Sequence, residues 1–336
     1  MANQTIAPRP DGPGLIERLR DAIRRRRYSY RTEQSYVHWA RRFVLFYGRR
    51  DPTGLGAEEI SAFLAHLAQD RSVSPSMQNQ ALRALQLLYG VVLGKPLPWL
   101  QGFERARQGS RALVALTRAE MRALLSQLKG PQWLMASLLY GAGLRLRECL
   151  QLRVKDLDFR GRQIRVREAD GGERVTILPN ALVAPLRGHL ARVKGLHLRD
   201  LAEGYGTVEL PLAIARRYPA AAREWGWQYV FPARKLSRDP RSGGLRRHHV
   251  FESVLPRAIA AAARRAGVVK PIASQTLRHS FATQLLEAGC DPRVVDELLG
   301  QASTPRDYAH APRKRGPGTS SPLDLEQRRA EYRAAA

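Results

Sequence analysis

The stretch SQTLRHSFATQLLEAG, Ser274 to Gly289, decides how the rest of the chain is read. Its apolar residues Leu277, Phe281, Leu285 and Leu286 recur at helical spacing and call for burial, yet Gln275, Arg278 and His279 sit among them. Gln275 and Arg278 are three apart and so share one face of the helix. In one reading Arg278 pairs with a nearby acid and Gln275 caps the helix behind Ser274. In the other, Gln275 and Arg278 aim at an anion held over the protein surface. His279 lies about 100° further round and reads as a structural hydrogen-bonding residue.

Composition favours the anion. The chain has 336 residues with 56 Lys plus Arg against 30 Asp plus Glu, a formal net charge of +26. Self-repulsion at that charge destabilises a compact state unless a polyanion neutralises it, which points to nucleic acid over a basic surface kept for solubility. Arginine outnumbers lysine, which suits bidentate phosphate contacts. A hydrophobic content of 44% supports a sizeable core, and the length suggests two domains. Cys149 and Cys290 both flank apolar helical segments and read as buried free thiols, not as a disulfide or metal site. No apolar run is long enough to span a membrane, and MANQTIAPRPDGPG lacks a signal-peptide pattern, so a soluble, cytoplasmic protein is expected.

Working outward, residues 1–14 read as a disordered terminus and 15–95 as a small all-helical domain. In its second helix Tyr36, Ala40, Phe43, Val44 and Tyr47 share a face, and in its third Ile60, Phe63, Leu64 and Leu67 do so. The fourth opens with Ser74 as N-cap and Pro75 at the first helical position. The run Arg24, Arg25, Arg26 and Arg27 adjoins Tyr28, Tyr30 and Arg31 and is expected to contact DNA backbone. Residues 96–116 have the Pro, Gly and basic content of a linker. The second domain, 117–336, begins with a capping box from Thr117 to Glu120. RQIRVRE and ERVTILP, joined at ADGG, read as a β-hairpin; helices are expected at 180–200, 245–266, 274–288, 291–299 and near 324–334.

Two arginines and a tyrosine then stand in order: Arg145 in GAGLRLRE, Arg278 in TLRHSFAT and Tyr308 in STPRDYAH. With this order and spacing, the chain from about Leu15 to Leu325 resembles the tyrosine site-specific recombinases, or phage-integrase family. CLQLRVKDLDF, DPRSGGLRRHHV, LPLAIARRYP and WGWQYVFPA look more narrowly like integron integrases, which carry an inserted helical segment, here about 189–228. The resemblance implies an N-terminal all-α core-binding (SAM-like) domain and a mostly helical α+β catalytic domain with a small β-hairpin or sheet, ending in a tail at 311–336. It implies cleavage of DNA by Tyr308 through a 3′-phosphotyrosyl intermediate, with Arg145 and Arg278 clamping the phosphate and no metal or nucleotide cofactor. Further implications are duplex and folded single-stranded recombination sites as partners, a homodimer to homotetramer on DNA, a bacterial cytoplasm, and gene-cassette insertion and excision as the activity. Trp225, Trp227, His248 and His249 match positions that help grip extruded bases in integron integrases; otherwise the tryptophans are core and the histidines surface.

Three positions depart from the family pattern. Asp170 falls where a hairpin lysine is expected, Gln275 stands three before Arg278 in place of histidine, and Gln301 replaces the histidine after LLG. Two residues are also missing before Ser303, although the spacing from Ser303 to Tyr308 is kept. Glutamine can still donate to a phosphate oxygen, whereas Asp170 repels it. Arg174, across the hairpin, is a candidate substitute cation. A catalytically impaired DNA-binding relic of the same fold is therefore the alternative to an active enzyme.

Overall fold

The computed structural model describes residues 14–26, 28–70, 73–96, 114–167, 172–240, 242–300 and 320–325. The expectations placed on Arg27, Asp170, Gln301, Tyr308, residues 1–13 and most of the linker and tail lie outside the described residues. The chain divides into two compact units, Met1–Arg111 and Ala112–Ala336.

Among its described residues the first unit has the α-helices α1 (Leu15–Arg25), α2 (Tyr30–Phe46), α3 (Ala57–Gln69) and α4 (Pro75–Leu87), with a 3₁₀ turn at Pro52–Gly54 and a π-helical turn at Leu88–Val92 continuing α4. Ser29 caps α2 and Ser74 caps α4, each hydroxyl accepting the amide three residues on. Phe43 is the hub of the core, edge-on to Phe63 at 5.3 Å and to Tyr89 at 6.1 Å. Val37 and Trp39 of α2 are as deeply buried as Ala40 and Phe43, while Tyr36, Val44 and Tyr47 are only half-buried.

The second unit opens with α5 (Arg118–Ser126), whose Thr117–Glu120 capping box is present in both directions. Then come α6 (Gly130–Gly141), α7 (Leu146–Gln151), and the antiparallel sheet β1 (Leu157–Asp158), β2 (Gln163–Arg167) and β3 (Glu173–Ile177) in that order. Its pairing opposes Ile164 to Thr176 and Val166 to Arg174. Next come α8 (Asn180–Ala202), α9 (Leu212–Arg217) and 3₁₀ turns at Pro219–Arg223 and Trp225–Trp227. A second hairpin, β4 (Ser237–Arg238) with β5 (Leu245–Arg246), leads to α10 (Val254–Arg265), α11 (Ser274–Glu287) and α12 (Pro292–Leu299). Among the described residues no helix is long and apolar enough to cross a membrane.

Two expectations need correction. The helix expected at 245–266 begins only at Val254, because Leu245 pairs in β5 and His249 bridges to Pro232. Pro256 then falls in the first turn of α10, where its missing N–H has no partner to lose; a helix from 245 would have carried it inside. Cys149 is a buried free thiol as expected, but Cys290 is only half-buried.

The burial of α11 explains the mixed apolar and polar composition of Ser274–Gly289. Every residue from Thr276 to Leu286 is buried, so its polar groups face protein on all sides. Ser280 Oγ donates to Thr276 O and accepts the Leu116 amide at 2.8 Å, Tyr140 Oη donates to Gln284 Oε1 at 2.6 Å, and Gln284 Nε2 donates to Leu116 O. Leu277, Phe281 and Leu285 fill the remaining surface at 0%, 0% and 1% exposure, locking the helix that carries Arg278.

Candidate active site

The turn after α6 has three successive carbonyls that its own helix leaves unpaired, and three separate elements satisfy them. Ser321 Oγ donates to Gly141 O at 2.7 Å, Thr176 Oγ1 of β3 to Ala142 O at 2.8 Å, and Arg278 Nη1 to Gly143 O at 2.6 Å. Gly143 has φ +63°, and a Cβ there would lie 2.6 Å from two Phe281 ring carbons. Both the left-handed backbone and the close approach demand glycine.

Two residues on, Arg145 caps α7. Its amide donates to Glu148 Oε2 and its Nη1 to Glu148 Oε1, both at 2.7 Å. Glu148 also receives Arg174 Nη1 at 3.1 Å and Nη2 at 2.8 Å, and Arg278 Nη1 lies 3.6 Å away. Burial pushes the Glu148 carboxyl up, but the Arg174 fork and the Arg145 amide outweigh it and hold the group below the ordinary carboxylate value. Three guanidiniums thus surround one carboxylate, leaving two positive charges in a largely buried site.

The same arginines take the C-terminal carbonyls of α12, one each. Arg174 Nε donates to Leu298 O at 3.1 Å, Arg278 Nη2 to Leu299 O at 2.6 Å and Arg145 Nη2 to Gly300 O at 3.3 Å. Gly300 ends α12 in the left-handed conformation at φ +60°. Cations at this end also complement the helix dipole. The chain runs on from Gly300 toward Tyr308.

Sequence reasoning joined Arg278 to Gln275, and the structure separates them. Arg278 is 1% exposed, whereas Gln275 is exposed in the first turn of α11. The side chain of Arg145 is 42% exposed, so it is the member of the pair that meets solvent. The helix starts from Ala273, with Thr276 Oγ1 accepting the Ala273 amide, so neither Ser274 nor Gln275 is the cap. Arg174 faces inward, onto Glu148 and the carbonyl of Leu298. His279 is 2% exposed, in keeping with a structural residue.

In the 3₁₀ turn at Trp225–Trp227, Trp227 is half-buried with Lys155 Nζ 3.3 Å from its ring centroid and the Arg167 guanidinium at 5.3 Å. Trp225 packs against the core and against His197. The His248 and His249 rings lie 4.1 Å apart with their planes tilted by 41°, both edge-on to Tyr229. Desolvation lowers the pKa of both rings, that of His249 to about 4, so at neutral pH the pair is uncharged. Arg153 escaped sequence reasoning. It lies 3.7 Å over the Tyr229 ring and donates to Trp227 O and Glu209 O, fastening the Glu209–Trp227 segment to the end of α7. Its only sequence signal is an arginine set between apolar residues in LQLRVKD.

The arginine run of α1 is divided as well. Arg24 forks onto Glu33, which is 1% exposed, while Arg25 and Arg26 are exposed beside the exposed rings of Tyr28 and Tyr30.

A buried helix bearing one arginine, a capped turn bearing another and a hairpin strand bearing a third thus meet on one carboxylate. The chain belongs to the phage integrase family of tyrosine site-specific recombinases, enzymes that break and rejoin DNA. Residues 115–315 match that family and residues 15–99 its N-terminal SAM-like domain. It is 48% identical over 313 residues to an integrase/recombinase of Escherichia coli, covering 92% of this chain and 93% of that one. It is 30% identical over 277 residues to the tyrosine recombinase XerD of Mycobacterium leprae (strain TN), covering 76% and 77%. Among solved structures, the XerH recombinase bound to difH substrate matches at TM-score 0.58 and 15% identity, covering 96% of this chain and 85% of that one. A lambda integrase dimer bound to a core site matches at 0.57 and 12%, covering 92% and 98%. At these identities the likeness shows the fold.

Gly143→Ala is expected to lower stability by about 2–5 kcal/mol, the sum of backbone strain and a clash with Phe281. Gly267→Ala, also at positive φ but with nothing within 4 Å, carries only the strain. Urea denaturation of the two variants checks the difference, and equal losses would mean that Phe281 yields without cost.

Proposed function

We propose that this chain is a recombinase of the integron-integrase type, inserting and excising gene cassettes through a 3′-phosphotyrosyl intermediate. The observation that carries the reading is the convergence of Arg145 and Arg278 on Glu148 and on the last carbonyls of α12, at the point where the chain departs for Tyr308. The Tyr308 phenol oxygen attacks phosphorus, the bond to the 5′ oxygen breaks, and that oxygen takes up a proton. The phosphotyrosyl bond keeps the strand activated until a 5′-hydroxyl from a second strand attacks it and releases the tyrosine. As negative charge builds on the non-bridging oxygens, the two guanidiniums stabilise it. Gln275 and Gln301 serve as hydrogen-bond donors that cannot shuttle protons, and Asp170 opposes the reaction.

The insertion supports the finer assignment. Trp227, already partnered by cations on its ring, together with the neutral His248–His249 pair, offers flat surfaces for unpaired bases, each stack contributing about 1–3 kcal/mol. Trp225 contributes through its packing against the core. Arg25 and Arg26, with Arg27, contact the DNA backbone, and the active assembly is a dimer to tetramer on DNA within the bacterial cytoplasm. The alternative reading, a catalytically impaired DNA-binding relic of the same fold, is favoured by Asp170, Gln275 and Gln301, of which Asp170 is the most adverse.

The test is to offer the purified protein two pools of nicked oligonucleotides with randomised sequence, fully paired duplexes and bulged hairpins, and to sequence whatever becomes covalently bound. Capture from the hairpin pool is expected. Capture from duplexes alone would remove the integron-type assignment and leave a duplex recombinase. On the captured hairpin, Trp227→Ala is expected to weaken binding roughly tenfold or more, against less than about threefold on a paired duplex of equal length. Equal losses, measured by equilibrium titration, would return Trp227 to a purely structural role.

A further inference from the structure

β3 breaks the rule that the apolar residues of a half-buried strand face the core. Val175 is 43% exposed, while Arg174 and Thr176 on either side are 8% and 2% exposed. This inward polar face meets both pinned helix ends: Thr176 holds the turn after α6, and Arg174 holds the end of α12. Arg174 meets Glu148 with its fork, one Nη on each carboxylate oxygen, which fixes the plane of the carboxylate on which Arg145 is also hung. Charge arithmetic gives this contact a purpose. Arg145 and Arg278 with Glu148 carry one net positive charge; adding Arg174 makes it two, which matches the second negative charge a phosphodiester gains on the way to its phosphorane.

We propose that Arg174 is a positioning residue for the phosphate clamp: it neutralises and orients Glu148 and ties it to α12, so that Arg145 and Arg278 act on the bound phosphodiester with undiminished charge. The inference rests on the clamp reading above and adds a member that does not itself touch DNA. The charged groups facing Glu148 are Arg145 from the start of α7, Arg174 from β3 and Arg278 from α11, while the described end of α12 faces the arginines with carbonyls. With Arg174 gone, burial acts on a carboxylate that has lost its fork, so its proton affinity rises; on acidification Glu148 is neutralised at a higher pH than in the wild type, which removes the negative charge set against Arg145 and Arg278.

Inorganic sulfate is the probe, its affinity read from the rise in melting temperature across a pH series. Arg165→Met, on the exposed face of the same hairpin, removes one charge without touching the site and is expected to stay within about twofold of the wild type. Arg174→Met and Arg174→Lys are expected to bind sulfate about tenfold more weakly at neutral pH, and the affinity of Arg174→Met is expected to recover on acidification, at a higher pH than any such step in the wild type. Should Arg174→Met fail to fold because a carboxylate is left unpaired, Arg174→Met with Glu148→Gln removes that charge. This double variant is expected to recover sulfate affinity to within about threefold at neutral pH and to show no further gain on acidification, having no carboxylate left there to protonate. Arg174→Met behaving like Arg165→Met, or a double variant no better than the single one, overturns the proposal. Covalent DNA capture by the same proteins separates the two readings. The sulfate pattern without any adduct removes the recombinase chemistry and leaves Arg174's role standing; adduct formation without the sulfate pattern does the reverse.

Discussion

Arg278→Met is expected to cost the catalytic domain about 3–5 kcal/mol, because it strips donors from the carbonyls of Gly143 and Leu299 inside the protein and unbalances a buried ion network. In the folded fraction the rate of DNA cleavage should fall by at least about a hundredfold, the usual consequence of losing one donor to a developing oxyanion. Arg145→Met makes the comparison informative. Its side chain is 42% exposed, so its ion pair contributes at most about 1 kcal/mol to stability, while the loss in cleavage should be as large. Thermal melts and single-turnover cleavage, run side by side, separate a clamp whose members differ in structural weight from a pair that is merely structural. If Arg145→Met cleaves normally, it is not part of the clamp.

The second large effect is a gain. On the proposed reading, Asp170 puts a carboxylate where the family supplies a cation and a proton donor. At about 4 Å from the phosphate and an effective dielectric near 20, that repulsion is about 4 kcal/mol, or roughly a thousandfold in rate. Asp170→Lys should therefore speed adduct formation by about 10³ or more, since the lysine also restores an acid for the leaving 5′ oxygen. Asp170→Asn, which removes the charge without adding a donor, should recover most of the electrostatic part and none of the rest. If Asp170→Lys combined with Gln275→His and Gln301→His still forms no adduct with nicked DNA, the shortened loop before Tyr308 has displaced the nucleophile, and the protein is a binding relic.

Much of this architecture was legible in the sequence because caps and periodicity are local. Ser74 with Pro75, and Thr117 with Glu120, announce helix starts without reference to anything distant. The order of Arg145, Arg278 and Tyr308 carried the family. What periodicity does not carry is the partner of a polar residue on a fully buried helix: Arg278 and Gln284 read as interruptions of an apolar stripe, yet their partners come from α6, α12 and the segment before α5. β3 misleads in the same way. Alternation alone puts Val175 and Ile177 inward, and only the demand of Glu148 and Ala142 for donors turns Arg174 and Thr176 to that side. The late start of α10 was legible in Pro256, which fits the first turn of a helix and not its interior. The docking of Ser321 and Asp324 was not legible at all. Asp324 accepts the amides of Asn180 and Ala181 at the start of α8, a cap supplied from the far end of the chain because Pro179 offers no side-chain acceptor of its own.

The central claim is that the clamp built on Glu148 presents a DNA phosphate to Tyr308. The most direct measurement is mass spectrometry of tryptic peptides after reaction with nicked DNA captured from the randomised pools and digestion of the DNA to a short remnant. The account predicts a nucleotide covalently attached through phosphate to the peptide Asp307–Arg313, absent in Tyr308→Phe and scarce in Arg145→Met. A phosphonucleotide on any other peptide, or one that persists in Tyr308→Phe, would contradict it.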